Sequence, residues 1–129
     1  MGHLRAFLSQ MQGLHGEVDY VLVYIEEAHP VEGWLYGSVE HMIHQHKTLQ
    51  DRIAAAQVLV DQVAALQGGE EKRTSRVFVD DMDNAVSMAF GALPERLAVV
   101  SHGVVQWIGG KGPEEYSVDD LMQQLTAQR

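Results

Sequence analysis

Proton-transferring side chains follow an apolar run in the first third of the chain. Residues 18–25 are almost all apolar or β-branched, Glu26 and Glu27 come next, and His29 stands in the following loop with Trp34. Because α/β proteins bind ligands at the C-terminal ends of parallel strands, these residues are candidates for a site. Simpler interpretations are a loop histidine bonded to the backbone and two solvated carboxylates, one of which caps a helix or pairs with Lys47 or Arg52.

Three further histidines, His41, His44 and His46, lie close together in the sequence. Their spacings of three and two residues do not place all of them on one helix face, so a zinc site is a weak interpretation. His46 fills a step in an apolar helical series formed by Val39, Met42, Leu49, Ile53, Ala56, Val60 and Val63. It is therefore predicted to face inward, either as a hydrogen-bonded core histidine or as an acid–base group.

Acidic residues and a proline mark two later turns. Asp80, Asp81 and Asp83 could bind a hard cation, but capping of a helix near Asn84 is the simpler interpretation. Pro94 precedes Glu95 and an apolar run, where an ordinary turn proline is expected. We therefore predict no metal site.

Composition narrows the chemistry further. The chain has 129 residues, a formal net charge of −9 and no cysteine. Its length suits one domain covering residues 1–129, and its acidity opposes nucleic-acid binding. Without cysteine, these residues form no disulfide and supply no thiolate for catalysis or metal binding. No apolar run approaches the roughly 20 residues of a membrane helix, so the chain as given is expected to be soluble.

Hydrophobic periodicity and turn residues predict the elements that must position these side chains. The predicted order begins with a helix over residues 4–14, ending near Gly13 or Gly16, then a strand over 18–25 buried on both faces, and then a long helix from Ser38 towards Gly68. A strand over 76–79 and a helix from Asn84 to Gly91 follow, then a hairpin of strands over 97–100 and 104–108, and finally a helix after Ser117. This order predicts an α/β protein with a thioredoxin-like fold, a mixed sheet flanked by helices, without its first strand and nucleophile loop.

Several separated segments resemble the iodothyronine deiodinases. They are residues 21–30 with Gly33 and Trp34, His46 with residues 49–52, residues 79–80 with 82–84, residues 91–97, and residues 109–110 with 112–113 and Tyr116. Their order along the chain is the family order. The resemblance implies reductive removal of iodine from thyroid hormones by a selenolate or thiolate, with a thiol reductant as cosubstrate and no bound cofactor.

The same resemblance assigns roles to individual positions. Tyr24, His46 and Glu95 match a proton-relay network, and Pro94 matches a structural proline beside the active site. His29, Trp34 and Lys111 match substrate-binding positions. Lys111 stands where some members have arginine, and a lysine keeps the charge but lacks the planar guanidinium fork.

The resemblance also implies features that these 129 residues lack. The nucleophile and any membrane anchor would precede Met1, so the chain as given is expected to be inactive, truncated where a UGA codon was read as a stop. Family members pair as homodimers, which is expected here too. Two alternatives remain open: a noncatalytic hormone-binding or dimerisation module, and a thiol-dependent reductase of peroxides or other halogenated aromatics.

Overall fold

The chain packs as two compact units. The computed structural model describes residues 2–14, 16–27, 45–66, 76–112 and 114–127. Met1–Tyr20 and Pro94–Arg129 form one unit, here called the terminal unit, and Val21–Leu93 form the other, the central unit. The elements are α1 Gly2–Gly13, β1 Leu22–Tyr24, α2 Leu49–Leu66, β2 Val77–Val79, α3 Ala85–Phe90, β3 Ala98–Ser101, β4 Val104–Ile108 and α4 Val118–Ala127.

Apolar side chains spaced along the helices form the interior of the terminal unit. The buried apolar residues here are Phe7, Leu8, Met11, Leu14 and Leu121. The rings of Phe7 and Tyr20 pack perpendicular to each other with centroids 5.6 Å apart. α1 packs against α4, and α4 also contacts β3. The helix predicted over residues 4–14 is confirmed, and its apolar stripe is what it buries.

The hairpin and the last helix of the terminal unit follow local signals in the sequence. β3 and β4 pair antiparallel, with Ser101 opposite Val104. His102 and Gly103 both have positive φ, 53° and 77°, as a tight hairpin turn requires. The backbone N–H of Asp120 donates to Ser117 Oγ at 3.1 Å, which caps the start of α4. Both the hairpin and the Ser117 start are thus confirmed.

The central unit contains one short parallel strand pair. Leu22 pairs with Val77 and Tyr24 with Val79, and Asp80 N–H extends the ladder to Tyr24 O at 2.8 Å. The prediction of a strand over residues 18–25 buried on both faces is wrong. Only Leu22–Tyr24 are strand, and Val23 and Phe78, which are cross-strand neighbours, are both exposed. The described residues cover one face of this pair and leave the other open.

The start of α2 differs from the prediction. Asp51 N–H donates to Thr48 Oγ1 at 3.1 Å and Thr48 N–H donates to Asp51 Oδ2 at 3.2 Å. This reciprocal cap starts the helix at Leu49, so His46 precedes it instead of lying on its stripe. Ser38, the predicted cap, lies outside the described residues. The buried face of α2 carries Arg52, Ala56 and Val63, whereas Leu49 and Ile53 are exposed.

The helix predicted from Asn84 to Gly91 is confirmed as α3, but its cap comes from another residue. Asn84 is the N-cap position in a left-handed conformation, and its side chain makes no cap bond. The Asp80 carboxylate accepts instead from Val86 N–H at 3.0 Å and Ser87 N–H at 2.8 Å. Gly91, also left-handed, ends the helix.

The strands do not form the predicted single mixed sheet within the described residues. β1 and β2 make one two-stranded parallel sheet, and β3 and β4 make a separate antiparallel one. The α/β character is confirmed, because helices and short sheets alternate along the chain. The thioredoxin-like arrangement and its missing first strand stay predictions. Across the parts of the chain that the structure describes, every helix is too short or too polar to cross a membrane.

Candidate functional site

Tyr24, Glu27 and His46 come together beyond the end of β1. The Tyr24 hydroxyl donates to Glu27 Oε1. His46 Nε2 lies 3.8 Å from the same carboxylate oxygen, and the rings of Tyr24 and His46 are 5.5 Å apart between centroids. The Glu27 carboxylate therefore lies between a phenol and an imidazole. With Gln45 and Arg52, described next, these residues form what we call the His46 cluster.

Gln45 holds the backbone of Glu27. Glu27 N–H donates to Gln45 Oε1 at 3.1 Å, and Gln45 Nε2 donates back to Glu27 O at 3.0 Å. The side-chain amide thus satisfies both main-chain groups of one residue, as a neighbouring strand would. This pairing leaves the Glu27 side chain available to Tyr24 and His46.

Arg52 holds His46 from the other side. Its Nε–H donates to His46 Nδ1 at 3.0 Å, and one terminal nitrogen donates to Asp80 O at 3.3 Å and Asp81 O at 2.8 Å. Arg52 is 2% exposed and His46 is 7% exposed. A buried guanidinium needs such acceptors because an unsatisfied charge in the interior is costly. The predicted inward orientation of His46 is therefore confirmed, although it comes from a loop.

Burial favours the neutral form of both rings of the cluster. Desolvation raises the pKa of Tyr24 above its usual range, and the hydrogen bond to Glu27 raises it further. Desolvation lowers the pKa of His46, a change that the charge of Glu27 opposes and the charge of Arg52 reinforces. A neutral phenol and a neutral imidazole thus flank the carboxylate, an arrangement suited to hydrogen-bond donation and proton transfer.

The acidic residues after β2 are used for capping. Asp80 is buried and also accepts from Asp81 N–H at 2.9 Å, while Asp83 Oδ1 accepts from Ala85 N–H at 3.1 Å. Asn84 Nδ2 reaches Glu26 Oε2 at 3.4 Å. Within the described ranges, no three histidine, aspartate or glutamate side chains are arranged to hold a metal ion. His41 and His44, the other members of the weak zinc interpretation, lie outside those ranges.

Glu95 takes part in a second polar group, in the terminal unit. Gly112 N–H donates to Glu95 O at 2.9 Å, and the Glu95 side chain fills the space where a side chain at position 112 would lie. Burial raises the pKa of Tyr116 to about 12, with a further contribution from the charge of Glu95. Lys111 is exposed, as is Pro94 in the bend before Glu95.

The structure thus distributes the predicted site residues over both units. Tyr24 and His46 contact each other in the central unit, while Pro94, Glu95 and Lys111 belong to the terminal unit. His29 and Trp34 lie outside the described residues.

Sequence reasoning missed the role of Gln45, the sharing of Glu27 by two rings, and the bond from Arg52 to His46. One signal could have found Arg52. The Thr48 and Asp51 capping pair starts the helix just before it.

Comparison with known proteins adds independent information. The family model described as iodothyronine deiodinase matches residues 1–128. Thyroxine 5-deiodinase of Ovis aries is 37% identical over 121 residues, which cover 94% of this chain and 38% of the relative. The protein of that name from Gallus gallus is 40% identical over 94% of this chain and 43% of its own length. The one from Sparus aurata is 37% identical over 100% of this chain and 45% of its own length. The chain therefore spans less than half the length of these relatives.

Proposed function

Because the chain belongs to the iodothyronine deiodinase family, we propose that it is part of an enzyme that reductively removes iodine from thyroid hormones. The family match and the relatives named thyroxine 5-deiodinase support thyroxine as the first substrate to test. The observation that carries the proposal is the contact of the buried His46 with the half-buried Tyr24 and Glu27. Reductive deiodination needs such a group, because the ring carbon that loses iodine must gain a proton.

The proposed reaction has two balanced steps. A selenolate or thiolate attacks iodine, the carbon–iodine bond breaks, its electron pair stays on the ring carbon, and that carbon takes up one proton. The products are the deiodinated ring and an enzyme selenenyl or sulfenyl iodide. Two molecules of a thiol then reduce this iodide, forming a disulfide and releasing iodide, a proton and the regenerated nucleophile in its protonated form.

The proposed residue roles follow from the resemblance and gain support from the geometry. In the proposed relay a proton can move between Tyr24 and the Glu27 carboxylate, and His46 adjoins the same carboxylate, where it is placed to donate a hydrogen bond. Glu95 is proposed as a further member of the relay. Substrate-binding roles are proposed for His29, Trp34 and Lys111, and a structural role beside the site for Pro94.

The nucleophile is not one of these residues, since the chain contains no cysteine. We place it in protein sequence outside the 129 residues, in a thioredoxin-like fold where a helix N-terminus would stabilise its anion. The chain alone should accordingly show no turnover. The intact enzyme is proposed to pair as a homodimer and to use a membrane anchor outside these residues.

Iodide release tests the proposal directly. The form of the protein that carries the nucleophile is incubated with thyroxine and excess dithiothreitol, beside its His46→Gln variant. His46→Gln should lower the rate by about 10²- to 10⁴-fold, the usual contribution of a general acid–base group. His102→Gln, in the exposed hairpin turn, is the matched control and should keep the wild-type rate. Absence of iodide release from the nucleophile-bearing form would refute the proposed activity. A fully active His46→Gln variant would refute the role of His46, and robust turnover by the 129 residues alone would refute the placement of the nucleophile outside them.

The absence of cysteine also favours a second candidate function, a noncatalytic module that binds hormone or mediates pairing. Titration calorimetry of the folded 129-residue chain with thyroxine separates the two. Saturable binding together with a nucleophile-bearing form that releases no iodide would favour the module. Release of iodide from another halogenated aromatic, but not from thyroxine, would favour a thiol-dependent reductase of a different substrate.

A further inference from the structure

We infer that Arg52 is a positioning residue that fixes His46 as the neutral tautomer with its single proton on Nε2, directed at the Glu27 carboxylate. The catalytic meaning of this inference rests on the proposed function, whereas the tautomer itself does not. The inference concerns which nitrogen of His46 donates towards Glu27, and it names the side chain that decides it.

The first step in the argument is the chemistry of the donor. A guanidinium carries five N–H donors and no acceptor, and it stays protonated in proteins. The 3.0 Å contact from Arg52 Nε to His46 Nδ1 therefore requires a lone pair on Nδ1. A neutral imidazole carries one N–H, so that proton must be on Nε2.

The second step is the setting of Nε2. This nitrogen is buried and makes no hydrogen bond to any described residue. Glu27 Oε1, which already accepts from the Tyr24 hydroxyl, lies 3.8 Å away. The Nε2–H donor is therefore unused in the resting arrangement but faces a carboxylate. A small movement of either side chain would complete a hydrogen bond.

The third step is the rigidity of Arg52 itself. Its terminal nitrogen is held by the carbonyls of Asp80 and Asp81, which lie between β2 and α3. The guanidinium is thus fixed at three acceptors and cannot turn away without losing all of them. Protonation of His46 on Nδ1 would set two N–H donors against each other, so that state is disfavoured.

It follows that His46 acts through Nε2 alone, as a neutral N–H donor rather than an imidazolium. A neutral imidazole can polarise or donate to a reacting group when its surroundings hold it in that form. Three charged groups affect the charge of the ring, namely Glu27, Arg52 and Asp51, and the ring of Tyr24 lies against it. Of these, Arg52 is the one bonded to a ring nitrogen.

Nitrogen-15 NMR of the 129-residue chain labelled in its histidines tests the tautomer. Wild-type His46 should show a lone-pair signal for Nδ1 and a protonated signal for Nε2. Arg52→Gln removes the charge and the rigid fork, so both signals should move towards the average of a mixed tautomer, and the titration midpoint of His46 should rise. Arg52→Lys keeps the charge without the fork, and should shift the tautomer while moving the midpoint less.

Arg5→Gln, an exposed arginine on α1, is the matched control and should leave the His46 signals unchanged. A wild-type proton on Nδ1 would overturn the inference, with no variant needed. So would an Arg52→Gln chain that folds and keeps the wild-type His46 signals.

Kinetics keep this inference separate from the proposed function. In the nucleophile-bearing form, Arg52→Gln should lower kcat for iodide release at least about tenfold with little change in KM, since a wrong histidine tautomer costs other enzymes far more. Arg52→Lys should recover part of that loss. Iodide release with a mixed wild-type tautomer would defeat the inference alone. A locked tautomer in a protein that never releases iodide would defeat the proposed function alone.

Discussion

The two units of the chain differ in what they bury. Among the described residues, the terminal unit buries apolar side chains, namely Phe7, Leu8, Met11, Leu14 and Leu121. The central unit buries Ala56 and Val63 but also His46, Arg52, Asp80 and Ser87. One unit thus resembles an ordinary hydrophobic core, and the other has a polar interior connected by hydrogen bonds.

This difference bears on which unit holds the groups proposed for proton transfer. Buried polar groups cost free energy unless their partners are in place, and well-packed apolar residues would usually stabilise as much or more. Of the titratable side chains buried in this unit, Asp80 stabilises the start of α3, whereas His46 and Arg52 are candidates for a role other than stability. The proton transfer proposed for the His46 cluster would supply that role.

The half-buried tyrosines Tyr24 and Tyr116 show the same contrast on a smaller scale. Both have a raised pKa, and burial is the main cause for each. For Tyr24 the next cause is the hydrogen bond to Glu27, whereas for Tyr116 it is the charge of Glu95. Tyr24 also contacts an imidazole ring. The phenol in the polar interior is therefore the one connected to a second proton-transferring group.

The largest effect is expected from neutralising one carboxylate in each unit, Glu27 in the central unit and Glu95 in the terminal unit. In the nucleophile-bearing form, Glu27→Gln and Glu95→Gln should each lower the rate of iodide release by about 10²-fold or more, because each removes a charge from the proposed relay. Glu114→Gln, at an exposed position, is the control. A wild-type rate for Glu95→Gln would confine the chemistry to the central unit. A wild-type rate for Glu27→Gln would contradict the role of the His46 cluster.

A smaller effect is expected from a cavity in the terminal unit. Leu121→Ala should reduce the free energy of unfolding by about 3 kcal/mol, because Leu121 is 3% exposed in an apolar core. Urea denaturation measures the loss, with Leu125→Ala, a half-buried position on α4, as the milder control. A loss below about 1 kcal/mol would show that this interior is less tightly packed than its burial implies.

Loss of the Asp80 cap of α3 should reduce the stability of the central unit. Asp80→Ala removes the acceptor for three backbone N–H groups around the start of α3 and should cost about 2 kcal/mol of unfolding free energy. Asp83→Ala, which loses a single backbone contact in the same turn, should cost about 0.5 kcal/mol. Equal losses for the two variants would mean that Asp80 is not the cap of this helix.

The smallest effect is a pH dependence that belongs to the central unit. The folded chain lowers the pKa of His46 through desolvation, so below pH of about 6.5 the unfolded chain binds the proton first. Stability should therefore fall as pH decreases from about 6.5, by at most about 1.4 kcal/mol per pH unit for one proton. Urea denaturation at several pH values should show a shallower slope for His46→Gln and an unchanged slope for His102→Gln. A steeper slope for His46→Gln would contradict the lowered pKa of His46 in the folded chain.

The parts of the fold that follow local signals could be predicted from the sequence. The hairpin depends on two adjacent residues that accept positive φ, and α4 depends on a serine placed just before its first turn. Both interactions are complete within a few residues. The inward position of His46 was also predicted, although the helix behind that prediction begins only after the Thr48 and Asp51 cap and does not include His46.

The remaining features depend on contacts between distant residues. Arg52 occupies a buried helix position because the backbone carbonyls of Asp80 and Asp81, 28 and 29 residues further along, accept hydrogen bonds from its guanidinium. Gln45 meets Glu27 across 18 residues. Gln45 is marked by no periodicity or turn signal, and the capping pair that precedes Arg52 does not reveal which distant groups Arg52 contacts. A pattern that treats arginine and glutamine as surface residues cannot find a site in which they act as the support.

The pairing of the Gln45 side chain with the Glu27 backbone has a consequence for which residues position 27 could hold. It holds Glu27 by main-chain atoms that every amino acid except proline possesses. The anchor therefore does not depend on the chemical identity of the group it presents. Selection or design could replace the carboxylate with an amide, a hydroxyl or a thiol between the two rings and keep the hydrogen bonds to Gln45. Position 27 could therefore change its functional group without losing its backbone anchor.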